Sequence, residues 1–372
     1  MNTHSEHIET VVIGAGQAGL AVGYHLAQKG RDFLILDEHE RVGDNWRHNW
    51  DSLRLYSPAA KDGLPGMPFP SERWDYPTKD QMGDYLEAYA ARFELPVRRG
   101  VRVHELAAGP DGYVLSTDAG KIACDNVVVA TGTFGRTPYV PAFADDLDPA
   151  ILQLHSSEYR RPSQLRPGPA LVVGASHSGA DIAFEIAPHH PTILSGPIRG
   201  QVPFRIESGL AHVMLPALFA VASHLLTIRT PVGRKMRPEI RQHGGPLLRV
   251  KREDLTGRGV ELAEAKVVAV DEGRPVLDGG RVLEVDNVIW CTGFRQRYDW
   301  IKIPVIGEDG WPEETRGVTA HPGLYFTGLA FQFGFTSMLV GGAGRDAAYV
   351  ADHLMSRSGR RELAQASSRL GS

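Results

Sequence analysis

The sequence predicts an α/β chain made of two similar halves, and three observations carry that prediction. Val11-Val12-Ile13 leads into Gly14-Ala15-Gly16-Gln17-Ala18-Gly19, and 160 residues later Leu171-Val172-Val173 leads into Gly174-Ala175-Ser176-His177-Ser178-Gly179. Two apolar runs that stop at Thr-Gly, Asp125 to Gly132 and Asp286 to Gly293, repeat at an offset of 161. The chain has 372 residues, room for two domains of roughly 150 residues each. Each half starts as strand, tight turn and helix and ends in a buried strand, the plan of a Rossmann-like dinucleotide-binding domain. The expected boundaries are 1–165 and 286–372 for the two parts of one domain and 166–285 for a second domain inserted into it.

The first turn carries a complete fingerprint, because a second strand, Phe33-Leu34-Ile35-Leu36, follows the helix and ends on Asp37. Gly14 permits the turn, Gly16 lets the backbone approach a pyrophosphate, and Gly19 allows close helix packing. Gln17 and Ala18 open the helix, whose first N–H groups and positive dipole end suit phosphate. Asp37, 21 residues after Gly16, is placed to accept hydrogen bonds from ribose hydroxyls. NAD and FAD share the adenosine half, so this spacing leaves both open.

The second turn departs from pattern at Ser176, where the middle glycine belongs and where a side chain crowds the pyrophosphate. His177, Ser178 and Gly179 complete the turn that Gly174 begins. Thr192-Ile193-Leu194 ends on Ser195, and no Asp or Glu lies between Glu185 and Glu207, so the acid that would repel a 2′-phosphate is absent. Arg199 lies close by, with a planar fork suited to such a phosphate. The reading is NADPH, with NADH admitted by Ser195.

Gly43-Asp44-Asn45-Trp46-Arg47, with Trp50 to Pro58 after it, resembles the Gly-Gly-x-Trp segment beside the flavin in class B flavin monooxygenases. Tyr76-Pro77-Thr78-Lys79, the helical run Tyr85 to Ala90, and Ala130-Thr131-Gly132 continue the resemblance. Cys291-Thr292-Gly293-Phe294 and Gly341 to Ala347 resemble late elements of flavin-containing monooxygenases, so the likeness to the small bacterial members spans nearly the whole chain. It implies FAD in the first site, with Trp46, Thr131 and Gly132 beside it. A linker fingerprint of that family, Phe-x-Gly-x-x-x-His-x-x-x-Phe/Tyr, is half present: His155 to Tyr159 fits, whereas Phe143 lies 12 residues before His155 with no glycine in register. Eukaryotic relatives place an asparagine near the flavin where this chain has Tyr56 and Ser57, so the resemblance assigns no catalytic residue.

Composition narrows the partners. The net charge is −4 and no basic run dominates, so neither nucleic acid nor a membrane is an expected partner. Cys124 and Cys291 are the only cysteines and form no Cys-x-x-Cys, which excludes a dithiol redox relay and a cysteine metal site; no metal is expected. Met1 to Thr10 is polar, and the expected location is cytoplasmic. From Ser208 to Ile228 no charged residue occurs, but His212, Pro216, Ser223 and His224 interrupt the stretch, so it is read as lining a substrate cavity or as an oligomer contact, with a homodimer left open.

With FAD and NAD(P)H both bound, hydride passes from nicotinamide to flavin and must leave by another acceptor. The expected function is a monooxygenase that inserts one oxygen atom from O2 into a small, apolar organic molecule, by heteroatom oxidation or by Baeyer-Villiger insertion beside a ketone. The alternative is an NAD(P)H-dependent flavoprotein reductase or oxidase without oxygen insertion.

Overall fold

A computed structural model of the chain describes residues 6–133 and 137–370, with side chains through residue 357. The polar N-terminal reading at Met1 to Ser5 lies outside the described residues. Strand β1 (Glu6–Ile13) runs into the first glycine turn and helix α1 (Gln17–Gln28), and β2 (Phe33–Leu36) follows. Then come the short α2 (Asp44–Arg47) and α3 (Lys79–Arg92). Helix α3 starts where the sequence supplies a reciprocal cap: Thr78 accepts from the Gln81 N–H while the Gln81 side chain accepts from the Thr78 N–H. Next are β3 (Val97–Arg98) and a meander of β4 (Val103–Ala108), β5 (Tyr113–Thr117) and β6 (Gly120–Val129).

After β7 (Thr137–Pro138), the chain forms β8 (Leu152–His155), β9 (Ala170–Val173), helix α4 (His177–Ile186) and β10 (Thr192–Ser195). Three helices follow: α5 (Ala211–His224), α6 (Pro231–Gln242) and α7 (Arg252–Gly257). Then come β11 (Glu261–Ala263), the hairpin β12 (Val267–Asp271) and β13 (Arg274–Leu277), and β14 (Asn287–Trp290). Strand β15 (Phe294–Arg295) pairs with β7, and β16 (Glu314–Thr315), β17 (Val318–Thr319), β18 (Leu324–Phe326) and α8 (Val340–Leu370) close the chain.

The strands form two main sheets. In the larger, β18, β6, β1, β2 and β3 are parallel neighbours, with β16–β17 and β4–β5 added as antiparallel extensions. Its strands alternate between two cores. Val12, Ile35, Val128 and Tyr325 face α1, α3 and α8, while Val11, Leu34, Val127 and Phe326 face the other side, as a sheet covered on both faces requires. The second sheet, β11-β10-β9-β14-β8, is parallel throughout.

Sheet membership differs from the expected boundaries. Strands β8 and β14 both pair in the second sheet, so divisions at 165/166 and 285/286 cut across it. The duplication explains why: in each half the run ending in Thr-Gly lies directly beside the strand that precedes the glycine turn, β6 beside β1 and β14 beside β9. The last helix, α8, runs on beyond the buried stripe that ends at Leu354, because its sequence continues in helix-forming residues.

Candidate active site

The first turn sits where β1 parts from two neighbours, β2 on one side and β6 on the other, the crevice position at which α/β sheets bind ligands. Gly14 has φ +107°, and a Cβ there would stand 2.7 Å from the Ala130 carbonyl oxygen. A Cβ on Gly19 would collide with the Gly14 carbonyl. Gly16 differs: its nearest neighbour would be Asn45 Nδ2 at 3.6 Å, ordinary contact, so the protein itself leaves room beside it. No side chain caps α1, which leaves its first N–H groups directed at that space. Thr131 and Gly132 follow β6, and Gly328 closes in from the far end of the chain, its Cβ position 2.8 Å from Ala18 and 3.9 Å from Gly132. Beside it, the Thr327 hydroxyl is buried without a hydrogen-bond partner. These features fit a dinucleotide: a backbone cradle, open N–H groups and an unsatisfied hydroxyl converge on one crevice.

Asp37 stands at the end of β2, where its carboxylate accepts from the Ala15 N–H at 2.6 Å and from the His39 Nδ1 at 2.8 Å. Burial works against its charge, but the His39 and Ala15 hydrogen bonds outweigh it and hold the carboxyl below its usual range. Trp46 on α2 donates to Gln17 Oε1 at 3.4 Å and is partly buried between the cores of the two sheets. Trp50, by contrast, is a core residue of the second sheet.

The second turn repeats the construction with one change. Gly174 has φ +111°, and a Cβ on Gly179 would collide with the Gly174 carbonyl. Ser176 donates its hydroxyl to the Gly245 carbonyl at 3.0 Å, and His177 Nε2 is 2.8 Å from the Pro246 carbonyl, so the extra side chains tie the turn to the 244–246 segment. Burial lowers the proton affinity of His177 and keeps its ring neutral. Ser178 lies in the first turn of α4. Ser195 turns away, donating to the Ala265 carbonyl at 2.8 Å, while Gly196 lies against the turn, its Cβ position 3.4 Å from the Ala15-equivalent Ala175 N–H. Arg199 is exposed just beyond. His155 is buried, pairing with Ser157 and the Gly293 carbonyl at 3.0 Å, which makes it a packing residue of the second sheet.

One cluster was not legible beforehand. The Tyr56 hydroxyl donates to Asp181 Oδ2 on α4 at 2.8 Å, and the Tyr56 and His177 rings lie 4.9 Å apart. Arg249 covers the Tyr56 ring at 5.3 Å, donates to the Arg54 and Leu55 carbonyls and pairs with Glu207 at 3.0 Å. Burial pushes the Asp181 carboxyl up to about 6, against the Tyr56 hydrogen bond and the Arg249 charge. The cluster therefore joins the segment after the first site to the helix of the second. A second buried acid, Asp62, is pushed up to about 7 by burial although Ser57 donates to it, and its other oxygen has no partner.

The 208–228 stretch forms α5. It lines one wall of a cavity of about 630 Å³ with Pro216, Phe219 and Ser223, opposite Phe333, Thr336 and the start of α8. No helix among the described residues is long and apolar enough to cross a membrane. Cys124 and Cys291 are free and not paired, and among the described residues no cluster could hold a metal.

The pyridine nucleotide-disulphide oxidoreductase family matches residues 11–194. The CzcO-like oxidoreductase of Geobacillus kaustophilus is 36% identical, the match covering 94% of this chain and 98% of that protein. The probable indole-3-pyruvate monooxygenase YUCCA3 of Arabidopsis thaliana is 29% identical over 93% of this chain and 86% of its own length. Among solved structures, the flavin-containing monooxygenase of Stenotrophomonas maltophilia superposes with a TM-score of 0.76 at 25% identity, covering 94% of this chain and 99% of that one. Two glycine turns built alike, likeness in sequence along nearly the full length and the shared fold lead to one conclusion: the chain belongs to the CzcO-like oxidoreductases and is a flavin-dependent oxidoreductase similar to the flavin-containing monooxygenases.

Proposed function

We propose that the chain is an FAD-dependent, NADPH-consuming monooxygenase that places one oxygen atom from O2 on a small organic substrate. FAD is assigned to the first turn, with Gly14, Gly16, Gln17, Ala18, Gly19, Asp37, Trp46, Thr131 and Gly132 around it. NADPH is assigned to the second, with Gly174, Ser176, His177, Ser178 and Gly179 holding the pyrophosphate and Arg199 the 2′-phosphate. The larger sheet is then the flavin domain and the all-parallel sheet the nicotinamide domain. The observation that carries the reading is the pair of like-built turns, each at the point where its sheet parts.

When bound, the flavin accepts hydride and activates oxygen; the protein orients and shelters. Trp46, lodged between the two cores, covers one side of the first site. The Tyr56–Asp181–Arg249 cluster fixes the first segment against α4 and so sets the distance between the two sites. Buried thiols take no part, since burial raises Cys124 to about 12 and Cys291 higher still. The test is anaerobic reduction with NADPH followed by rapid mixing with oxygenated buffer. A transient spectrum distinct from oxidised and reduced flavin supports oxygen insertion; direct return to oxidised flavin with stoichiometric peroxide establishes the oxidase alternative.

A further inference from the structure

The cavity between α5 and the start of α8 holds an unusual concentration of positive charge. Arg229 and Arg345 line it, as does Lys61, whose ammonium lies 5.6 Å from the Phe219 ring. Behind them stands Arg316. The guanidinium carbons of Arg229, Arg316 and Arg345 lie 5.3, 4.5 and 4.5 Å from the centroid of a single ring, that of Phe333. Three like charges around one side chain repel one another, and cation–π attraction to one phenyl offsets little of that. Arg345 has a partial answer, pairing with Asp346 at 3.0 Å and donating to Thr336 and Ser337. Glu314, the other acid nearby in sequence, is engaged by Arg237 and Arg241 instead.

Arg316 and Gly317 form the two-residue turn between β16 and β17, where the φ of +55° at Arg316 is the one such a hairpin requires; the Arg316 Nε is buried with no hydrogen-bond partner. Burial lowers its proton affinity, Tyr349 and Asp346 work against that, and the charges of Arg229 and Arg345 add to it. Three guanidiniums gathered on one ring, with a donor left unsatisfied among them, present charge that an anion would meet. The rest of the lining is apolar, with Pro216, Phe219, Phe333 and Leu339.

We propose that this cavity binds an organic anion, a carboxylate carried on an apolar or aromatic frame, with the carboxylate toward Arg229 and Arg345, which line it, and the frame against Phe219 and Phe333. The assignment of that anion as the enzyme's substrate rests on the monooxygenase reading; the binding itself does not. Guanidinium forks match a carboxylate in charge and shape, and a volume of about 630 Å³ admits a molecule of one or two rings.

The probes are 3-phenylpropanoate and its neutral amide, titrated calorimetrically into the flavin-loaded protein with and without saturating NADP⁺. The expected result is that the acid binds at least tenfold more tightly than the amide. The expected loss is at least tenfold in Arg345→Met and in Arg229→Met, with flavin content unchanged. Equal affinity of acid and amide, or no binding of either at millimolar concentration, overturns the proposal. So does competition by NADP⁺ together with a raised KM for NADPH in Arg345→Met, which would make the arginines a phosphate site of the cofactor. Because the readout is binding, the proposal stands or falls independently of whether the oxygen-mixing experiment shows a transient.

Discussion

Gly16 and Gly19 separate ligand from fold within a single turn. A Cβ on Gly19 strikes the Gly14 backbone, whereas one on Gly16 meets only Asn45 at ordinary contact distance. Gly16→Val is therefore expected to give a folded protein that purifies colourless, and Gly19→Val one that fails to fold; far-ultraviolet circular dichroism and flavin absorbance distinguish them. Asp62 offers a pH test. Its carboxyl is raised to about 7 by burial, so the stability that its protonated form contributes is complete below its unfolded value near 3.8 and is lost as pH rises through 7. Asp62→Asn should flatten the dependence of Tm on pH and, at pH 8, stabilise the protein by up to about 3 kcal/mol relative to the parent. A variant whose Tm falls with pH as steeply as the parent's would show that another group controls the transition.

Among elements, α6 is attached by charge. It carries Arg237 and Arg241 to Glu314 on β16, whose side chain is wholly buried; Arg241 also stacks on Trp311 at 4.4 Å and donates to the Ala330 carbonyl at 3.0 Å. Removing the shared acid leaves two guanidiniums facing a buried space, so Glu314→Ala should cost about 3–5 kcal/mol in denaturant unfolding, and Glu314→Gln less. Elements were also what the sequence made most legible. The strand–turn–helix units at residues 11–28 and 171–186 are written in contiguous residues, where glycine spacing and apolar runs act over short range. The Tyr56–Asp181 hydrogen bond joins residues 125 apart, and Gly328 reaches Ala18 from the opposite end of the chain; no local pattern announces either. The left-handed Arg316 was likewise invisible, because arginine carries no preference for that conformation.

For the molecule as a whole, the contact between the segment after the first glycine turn and helix α4 sets how the two glycine turns face each other. Arg249 is its hub, touching Tyr56, Tyr76, Glu207 and two backbone carbonyls. Arg249→Met keeps the bulk and loses the donors, and it should slow flavin reduction by NADPH about tenfold while leaving flavin content unchanged. An unaltered reduction rate in stopped-flow measurements would assign Arg249 to stability alone.

Helix α8 packs its stripe Ala343, Ala347, Val350 and Leu354 into the same core as Leu20 and Leu26 of α1, and β18 completes the sheet beside β6. On the ribosome, the first glycine turn is made almost at once, yet the strand and helix that support it emerge last. A chain ending at residue 335 would contain both glycine turns and lack α8, and on the proposed flavin assignment it is expected to purify without colour. Nascent chains stalled before that point should be open to proteases throughout the first sheet.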